Sequence, residues 1–424
     1  MKFYPFFLPH NHKDEIIKDC SDALFLVNEK IDTAFNTYEH AMSFLEEFIA
    51  SVNNYDSYRN EINAFLNWAW FVECKDVRDI NRNDINNYIR FTCSPPENLI
   101  ASWSQPVLNE SENGVYVLNP NWRPFTNKKK ELGIPYSRKE TTIKKTLSSL
   151  SSFYQFLNDC EVCEHNPPAI ALRRLNVKNI HNFALSDDLK DKALSQSQVN
   201  AVFDYIKLQL NLNDNPAKWQ RARFLFAFLV LAYPRRSEIA PRLNWSPSMS
   251  DFRCHNVNGK SVWTFFIPKS KNGQSREVIL SDGLLTVLKE YRNFLGLSSL
   301  PRQNETNIPL FTRIKEATTG RQVGVLNANL SASQLGDVIV ELFNLTADHM
   351  ELSGADINEA DDLRTRTIHS LRHTGISNDL AERSAKDVMK CSGHSSLQAL
   401  AIYTSSRIEF RVEKLNHKDN IFKV

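Results

Sequence analysis

Four short stretches in the second half of the chain carry side chains suited to phosphate-ester chemistry. They are RRSE at 235–238, KSKNGQSRE at 269–277, HSLRH at 369–373, and GH at 393–394 followed nine residues later by Tyr403. Arginine presents a planar fork of donors that matches the non-bridging oxygens of a phosphate. Histidine exchanges protons near neutral pH, and a tyrosine phenol can attack phosphorus and hold it in a covalent bond. Taken singly, each stretch has a plainer meaning. RRSE alone is more often a charged helix end, Lys271 a solvated hairpin lysine, the i, i+3 pair His369 and Arg372 a solvated helix face, and Tyr403 a half-buried aromatic.

Order and spacing together change that balance. Arg235 in RxSE, Lys271 five residues before Arg276, HxLRH, and GH with a tyrosine nine residues on resemble the tyrosine recombinase family of phage integrases and Xer-type recombinases. The resemblance spans about 193–407 in the family's order, and the helical first half is similar to the family's core-binding domain. It implies a site-specific recombinase that cuts and rejoins double-stranded DNA through a 3′-phosphotyrosyl link on Tyr403. It also implies integration or excision of a mobile element, a homo-tetramer acting on two DNA sites, accessory DNA-bending proteins, and no cofactor. Arg235 and Arg372 are then the forks on the scissile phosphate, fixed donors placed where charge develops. Lys271, with Lys269 as its rival, is the general acid for the leaving 5′ oxygen. By the same resemblance His369 assists proton transfer at the tyrosine, His394 holds the phosphate, and Glu238 orients an arginine. Three readings stay open beside the recombinase: a type IB topoisomerase-like enzyme, a telomere-resolving enzyme, and a DNA-binding protein without activity. The chain departs from the family in having Tyr233-Pro234, not a small residue or glycine, before the first arginine. It also has a long stretch between Phe311 and His369.

The elements that must position these residues follow from hydrophobic period and punctuation. TYEHAMSFLEEFIASV and SYRNEINAFLNWAWFV each repeat apolar residues every three to four positions, and NDINNYIRF fits a short third helix. The segment 94–136, rich in Pro, Asn and Gly, has no helical period and reads as an insertion carrying at most a short strand, GVYVL. A long helix is expected next, with Ser137 and Glu140 as a capping box and Ile143, Leu147, Leu150, Tyr154 and Leu157 as its apolar stripe. Its polar face carries Lys144 and Lys145, candidate DNA-backbone contacts, with Lys128, Lys129 and Lys130 just before it. Beyond it, helices are expected at 195–210, 221–233, 284–295, 331–345 and 370–382, and a hairpin at 261–280 turning at Asn272-Gly273. The expected fold is therefore mainly α with a small antiparallel β-sheet, a helical core-binding domain plus an α+β catalytic domain. Its divisions are an N-terminal extension at 1–30, a helical domain at 31–176, a linker at 177–191 and a catalytic domain at 192–424. Nine residues along an unbroken helix would set His394 and Tyr403 on opposite faces, so a turn at GHSS, with Ser395 or Ser396 as N-cap, is expected between them.

Composition bounds the rest. At 424 residues, 42% hydrophobic and 24% charged, the chain exceeds one ordinary core, and a net charge of +2 leaves any nucleic-acid argument to local placement. The longest apolar run, FLFAFLVLAYP at 224–234, is too short to span a bilayer and reads as a buried helix. The opening MKFYPFFLPHNHKDE is interrupted by prolines and lacks a cleavage site, so a cytoplasmic, nucleoid-associated protein without membrane contact is expected. Seven scattered cysteines do not form a disulfide framework, and Cys160, Cys163 and His165 lack the second ligand pair of a zinc site.

Overall fold

A computed structural model describes residues 2–111, 113–182, 192–242, 245–268, 275–316, 323–394 and 396–404. The chain divides into two compact units, Met1–Ser186 and Asp187–Val424. Among the described residues no helix is long and apolar enough to cross a membrane.

Among the described residues the first unit has six α-helices: α1 (Lys18–Asn28), α2 (Ala34–Glu46), α3 (Val52–Trp68), α4 (Arg82–Cys93), α5 (Glu140–Asp159) and α6 (Pro167–Asn182). The apolar stripe expected for α5 is its buried face, with Leu147, Leu150, Tyr154 and Leu157 all in the core. Its start differs from the sequence expectation, because Lys139 occupies the N-cap and makes no side-chain cap, so Ser137 lies outside the helix. The first thirty residues are not an extension. Phe3, Phe6, Phe7 and Leu8 are buried with α1 in the unit's core, where Phe6 meets Trp70 and Phe7 stacks on Tyr38. Prolines at 5 and 9 disguised residues 3–8, which contribute to the core without forming an element themselves. The 94–136 stretch holds four short strands: β1 (Ile100–Ala101), β2 (Leu108–Glu110), β3 (Tyr116–Leu118) and β4 (Phe125–Thr126). Strands β1 and β4 pair in parallel and β2 and β3 pair antiparallel, with Leu99, Val107, Leu108 and Phe125 buried beneath them. Helix α6 continues to Asn182, into the stretch expected as linker; residues 183–191 lie outside the described residues. Cys160 is exposed, and burial pushes the Cys163 thiol up to about 11.

The second unit surrounds one helix. Its elements are α7 (Gln196–Leu212), α8 (Pro216–Leu231), the sheet β5 (Phe252–Val257), β6 (Lys260–Ile267) and β7 (Arg276–Ile279), then α9 (Asp282–Phe294), α10 (Ala332–Leu352), α11 (Ile357–Thr365), α12 (Ile368–Glu382), α13 (Ala385–Ser392) and α14 (Leu397–Thr404). Every residue of α8 from Phe224 to Val230 is buried, as expected of a helix apolar on all sides that is packed all round. Strands β6 and β7 are the arms of the expected hairpin, but the sheet has a third strand, β5, whose FRCHNV shows no clean alternation. Phe252 faces Phe265 in register, and Phe265 faces Val278. These residues turn inward onto Phe228 of α8, with ring centroids 4.9 Å from Phe265 and 6.1 Å from Phe252. A separate cluster of Tyr233, Ile376, Val388 and Leu400 joins the end of α8 to α12, α13 and α14. The short elements bearing the candidate residues are held by that cluster.

Candidate active site

The end of α8 and the first half of α12 define the site's floor. On α12, Ile368, Leu371, Arg372, Gly375 and Ile376 recur at helical spacing on the buried face, so Arg372 is carried inward among apolar residues. Gly375 lets α12 press on α8, because a Cβ there would collide with the Val230 carbonyl oxygen and stand 3.0 Å from the Tyr233 ring. Past α8 the chain turns sharply. Tyr233 has φ 37°, in the left-handed region, where a side chain costs about 1–2 kcal/mol. The departure noted at Tyr233-Pro234 is thus a glycine-type conformation held by a tyrosine, whose buried ring packs in the small cluster and whose hydroxyl donates to Asp379 at 2.9 Å. The turn aims the Tyr233 carbonyl at Arg372 and starts the RxSE segment.

Three guanidinium groups converge on the C-terminal end of α13. Arg276 Nε donates to the Cys391 carbonyl (2.9 Å), Arg372 Nη2 to Ser392 (2.7 Å) and Arg235 Nη2 to Gly393 (3.0 Å). Three consecutive carbonyls that a helix end leaves without partners are each capped by a different arginine, at the negative end of the helix dipole. Gly393 closes α13 in the left-handed conformation (φ 67°), and a Cβ there would stand 2.8 Å from Arg276 Nη1. The left-handed backbone favours glycine, and a side chain there would also displace the Arg276 guanidinium. A second donor, Arg372 Nη1, reaches the Tyr233 carbonyl at 2.5 Å.

Glu238 binds the arginines to one another. Its carboxylate, fully buried, accepts from Arg276 Nη1 (2.9 Å) and Nη2 (2.6 Å), from Arg235 Nη1 (3.0 Å) and from the Arg235 amide (2.7 Å). Burial alone would raise its pKa. The hydrogen bonds and charge of Arg276, then those of Arg235, outweigh burial and hold the carboxyl at about 2. Arg372, 5% exposed, has no such carboxylate; burial and then the Arg235 charge draw it down to about 10, against the pull of Glu238 and Tyr403. Arg235 is the more open of the two forks, its side chain 38% exposed.

His394 lies beyond Gly393 and before α14, which begins at Leu397, so the expected break between His394 and Tyr403 is present. Ser395, one of the two expected caps, lies outside the described residues. The ring of His394 is 5.4 Å from that of Tyr403. Its Nδ1 is 2.7 Å from Ser392 Oγ, and its Nε2 is 3.5 Å from Arg372 Nη2. A guanidinium only donates, so Nε2 is the acceptor and the donor inventory assigns the ring proton to Nδ1. Burial, followed by the charges of Arg372, Arg235 and Arg276, lowers this imidazole to about 4. His369 stands exposed in the first turn of α12, and its pKa is lowered by desolvation and then by the charges of Arg236 and Arg372.

Arg235, Arg372, His394 and Tyr403 are therefore brought together, with His369 on the flank of the same helix as Arg372. Lys271 and its rival Lys269 lie outside the described residues, as does the Asn272-Gly273 turn, but the β7 arm that follows them is tied to the site through Arg276. Sequence reasoning used Arg276 only as a spacing mark, and it passed over His373, whose ring centroid is 4.6 Å from that of Tyr403. The signal for His373 was present, since His369, His373 and Ser377 fall four residues apart on one helical face. In the first unit, Lys144 pairs with Glu140 at 2.9 Å one turn earlier, Lys145 is exposed, and Lys130 donates to the Ile100 carbonyl at 3.0 Å.

No family model matches the chain, and no curated protein matches it. Among solved structures it is similar to the XerH site-specific recombinase bound to its difH substrate, at 14% identity and a TM-score of 0.47, over 91% of this chain and 88% of that one. It is similar to the Tn1549 transposon integrase in complex with a circular intermediate DNA, at 13% identity and a TM-score of 0.47, over 89% and 99%. It is similar also to a lambda integrase dimer bound to a COC′ core site, at 12% identity and a TM-score of 0.46, over 87% and 77%.

Proposed function

We propose that this chain is a site-specific DNA recombinase that cuts and rejoins strands through Tyr403. The observation that carries the reading is the convergence of Arg235, Arg276 and Arg372 on three successive carbonyls beside the Tyr403 ring. A helix end needs caps, but it does not need three guanidiniums, two of them coupled through a buried carboxylate. Each guanidinium has five N–H donors, and the carbonyl and carboxylate contacts use only part of each set, which leaves donors for phosphate oxygens.

The chemistry follows from these groups. The Tyr403 oxygen attacks the phosphorus of a DNA backbone linkage, forming a bond between the tyrosine oxygen and phosphorus as the 5′ oxygen leaves. Arg235 and Arg372 neutralise the charge that gathers on the two non-bridging oxygens, and because they are already fixed they need no reorganisation as it develops. Phosphate near His394 offsets the arginine charges that, after burial, keep its imidazole neutral, so on DNA binding the ring takes up a proton from solvent at Nε2 and donates a hydrogen bond to the phosphate. His369 takes the phenol proton. Lys271, on the hairpin that precedes Arg276, gives a proton to the leaving 5′ oxygen. Protons balance, and the phosphodiester energy is kept in the phosphotyrosyl bond, so rejoining requires no nucleotide or metal. Glu238 and Arg276 position the forks and tie the hairpin to them.

The first unit is the core-binding domain in this reading, with Lys145 on the exposed face of α5 contributing to backbone contact and Lys144 shared with Glu140. Strand exchange then takes four copies on two duplex sites, assisted by accessory bending proteins, in the integration or excision of a mobile element. Recombination between two copies of a duplex selected by binding from a randomised pool tests this reading. Exchange between marked sites supports it, whereas relaxation of a supercoiled circle without exchange would identify a topoisomerase-like enzyme.

A further inference from the structure

We propose that His373 is a positioning residue that sets the attack geometry of Tyr403, an inference that rests on reading Tyr403 as the nucleophile. Helix α14 has eight residues, too few to be stable by itself, and Leu400 is its buried anchor in the small cluster. The direction of the phenol is therefore set by what its ring and backbone touch. Ser377 Oγ donates to the Tyr403 carbonyl at 3.3 Å, the His373 ring lies 4.6 Å away at 36°, and the His394 ring lies 5.4 Å away at 52°. His373 and Ser377 stand one turn apart on α12, the helix that also delivers Arg372 to the phosphate forks. A single rigid helix thus orients both the phosphate-binding guanidinium and the attacking ring. His369 lies one turn before His373 on the same face, which places the group read as proton acceptor beside the ring that holds the phenol.

Ring pairs of this kind have measurable coupling, and losing one populates rotamers that point the phenol away from phosphorus. The test is single-turnover cleavage of a suicide duplex bearing the selected site. His373→Ala should slow adduct formation about 5- to 10-fold with unchanged DNA affinity. His373→Phe, which keeps a flat ring, should restore the rate to within about 2-fold of wild type with an unaltered pH profile. Wild-type speed in His373→Ala overturns the proposal, as does a His373→Phe variant as slow as His373→Ala with a shifted pH profile, since the imidazole would then act by proton transfer. An independent reading comes from histidine-labelled protein, in which Tyr403→Leu should remove a ring-current shift from the His373 ring signal. No change in that signal overturns the contact itself. Failure of the wild type to form any adduct overturns instead the nucleophile reading beneath it.

Discussion

Replacing Glu238 by glutamine removes one buried negative charge from between the Arg276 and Arg235 guanidiniums, and the structure sets the size of the effect. The carboxyl is held at about 2 against an ordinary 4.5, a difference worth about 3 kcal/mol of folding free energy at neutral pH. The carboxylate is fully buried but the Arg235 side chain is 38% exposed, so solvent screening makes about 3 kcal/mol the upper end of the effect. Breaking a buried pair by removing one partner has a typical cost of about 3–5 kcal/mol, which agrees. The sign is fixed by the direction of the shift. A carboxyl whose folded pKa is depressed contributes its full stability above about 4.5 and loses it as the pH falls toward about 2. Differential scanning calorimetry of wild type and Glu238→Gln between pH 3 and 7 should therefore show the variant's second-unit transition lowered by about 6–12 °C at pH 7, converging on the wild type in acid. A variant within about 1 °C of wild type at pH 7, or a gap that stays constant down to pH 3, would refute the claim that Glu238 is the charged centre of the arginine network.

Three further outcomes follow from the same geometry. The His394 ring should titrate near 4 in the free protein when followed by NMR, its stabilising contribution being present above about 6.5 and lost as the pH falls toward 4, and DNA should raise the midpoint; a midpoint near 6.5 without DNA would remove the arginine field from the account. Gly375→Ala should separate α12 from α8 and lower stability by about 1–3 kcal/mol in urea denaturation, slowing cleavage as Arg372 loses the Tyr233 carbonyl. Lys145→Ala should reduce the salt dependence of DNA binding by about 0.9 in the log–log slope, with a smaller change for Lys144→Ala because Glu140 already shares that charge.

The longer helices of the second unit, α7 to α10 and α12, were legible because local and tertiary signals agree there, whereas the short α11 and α13 carried no such signal. Ser195 and Ser331, which open two of the expected helical segments, cap α7 and α10, and the unbroken apolar run of α8 could only be a central helix. Strand β5 was not legible, because His255, Asn256 and Val257 are all exposed and its inward residue is Phe252 at one end. The N-terminal segment was missed for a different reason: its phenylalanines are buried individually, without a period, by chain that runs over the core. Among site residues, Arg235, Arg372, His394 and Tyr403 were singled out through the family resemblance, but the work of Arg276 was not. Its partners, Glu238 and the Cys391 carbonyl, are distant in sequence, and only the fold makes them neighbours. Tyr233 is the sharpest case. A tyrosine stands where the resemblance has a small residue or glycine, yet its backbone takes a left-handed conformation because the ring gains a buried seat and a hydrogen bond to Asp379.

The central claim is that Tyr403 forms a covalent bond to DNA, and mass spectrometry of the trapped product tests it most directly. After incubation with a suicide duplex, denaturation and proteolysis, the nucleotide-bearing peptide should contain Tyr403 linked to a 3′ phosphate, and Tyr403→Phe should bind the duplex without forming it. An adduct that persists in Tyr403→Phe, or a modification mapped to any other side chain, would contradict the account.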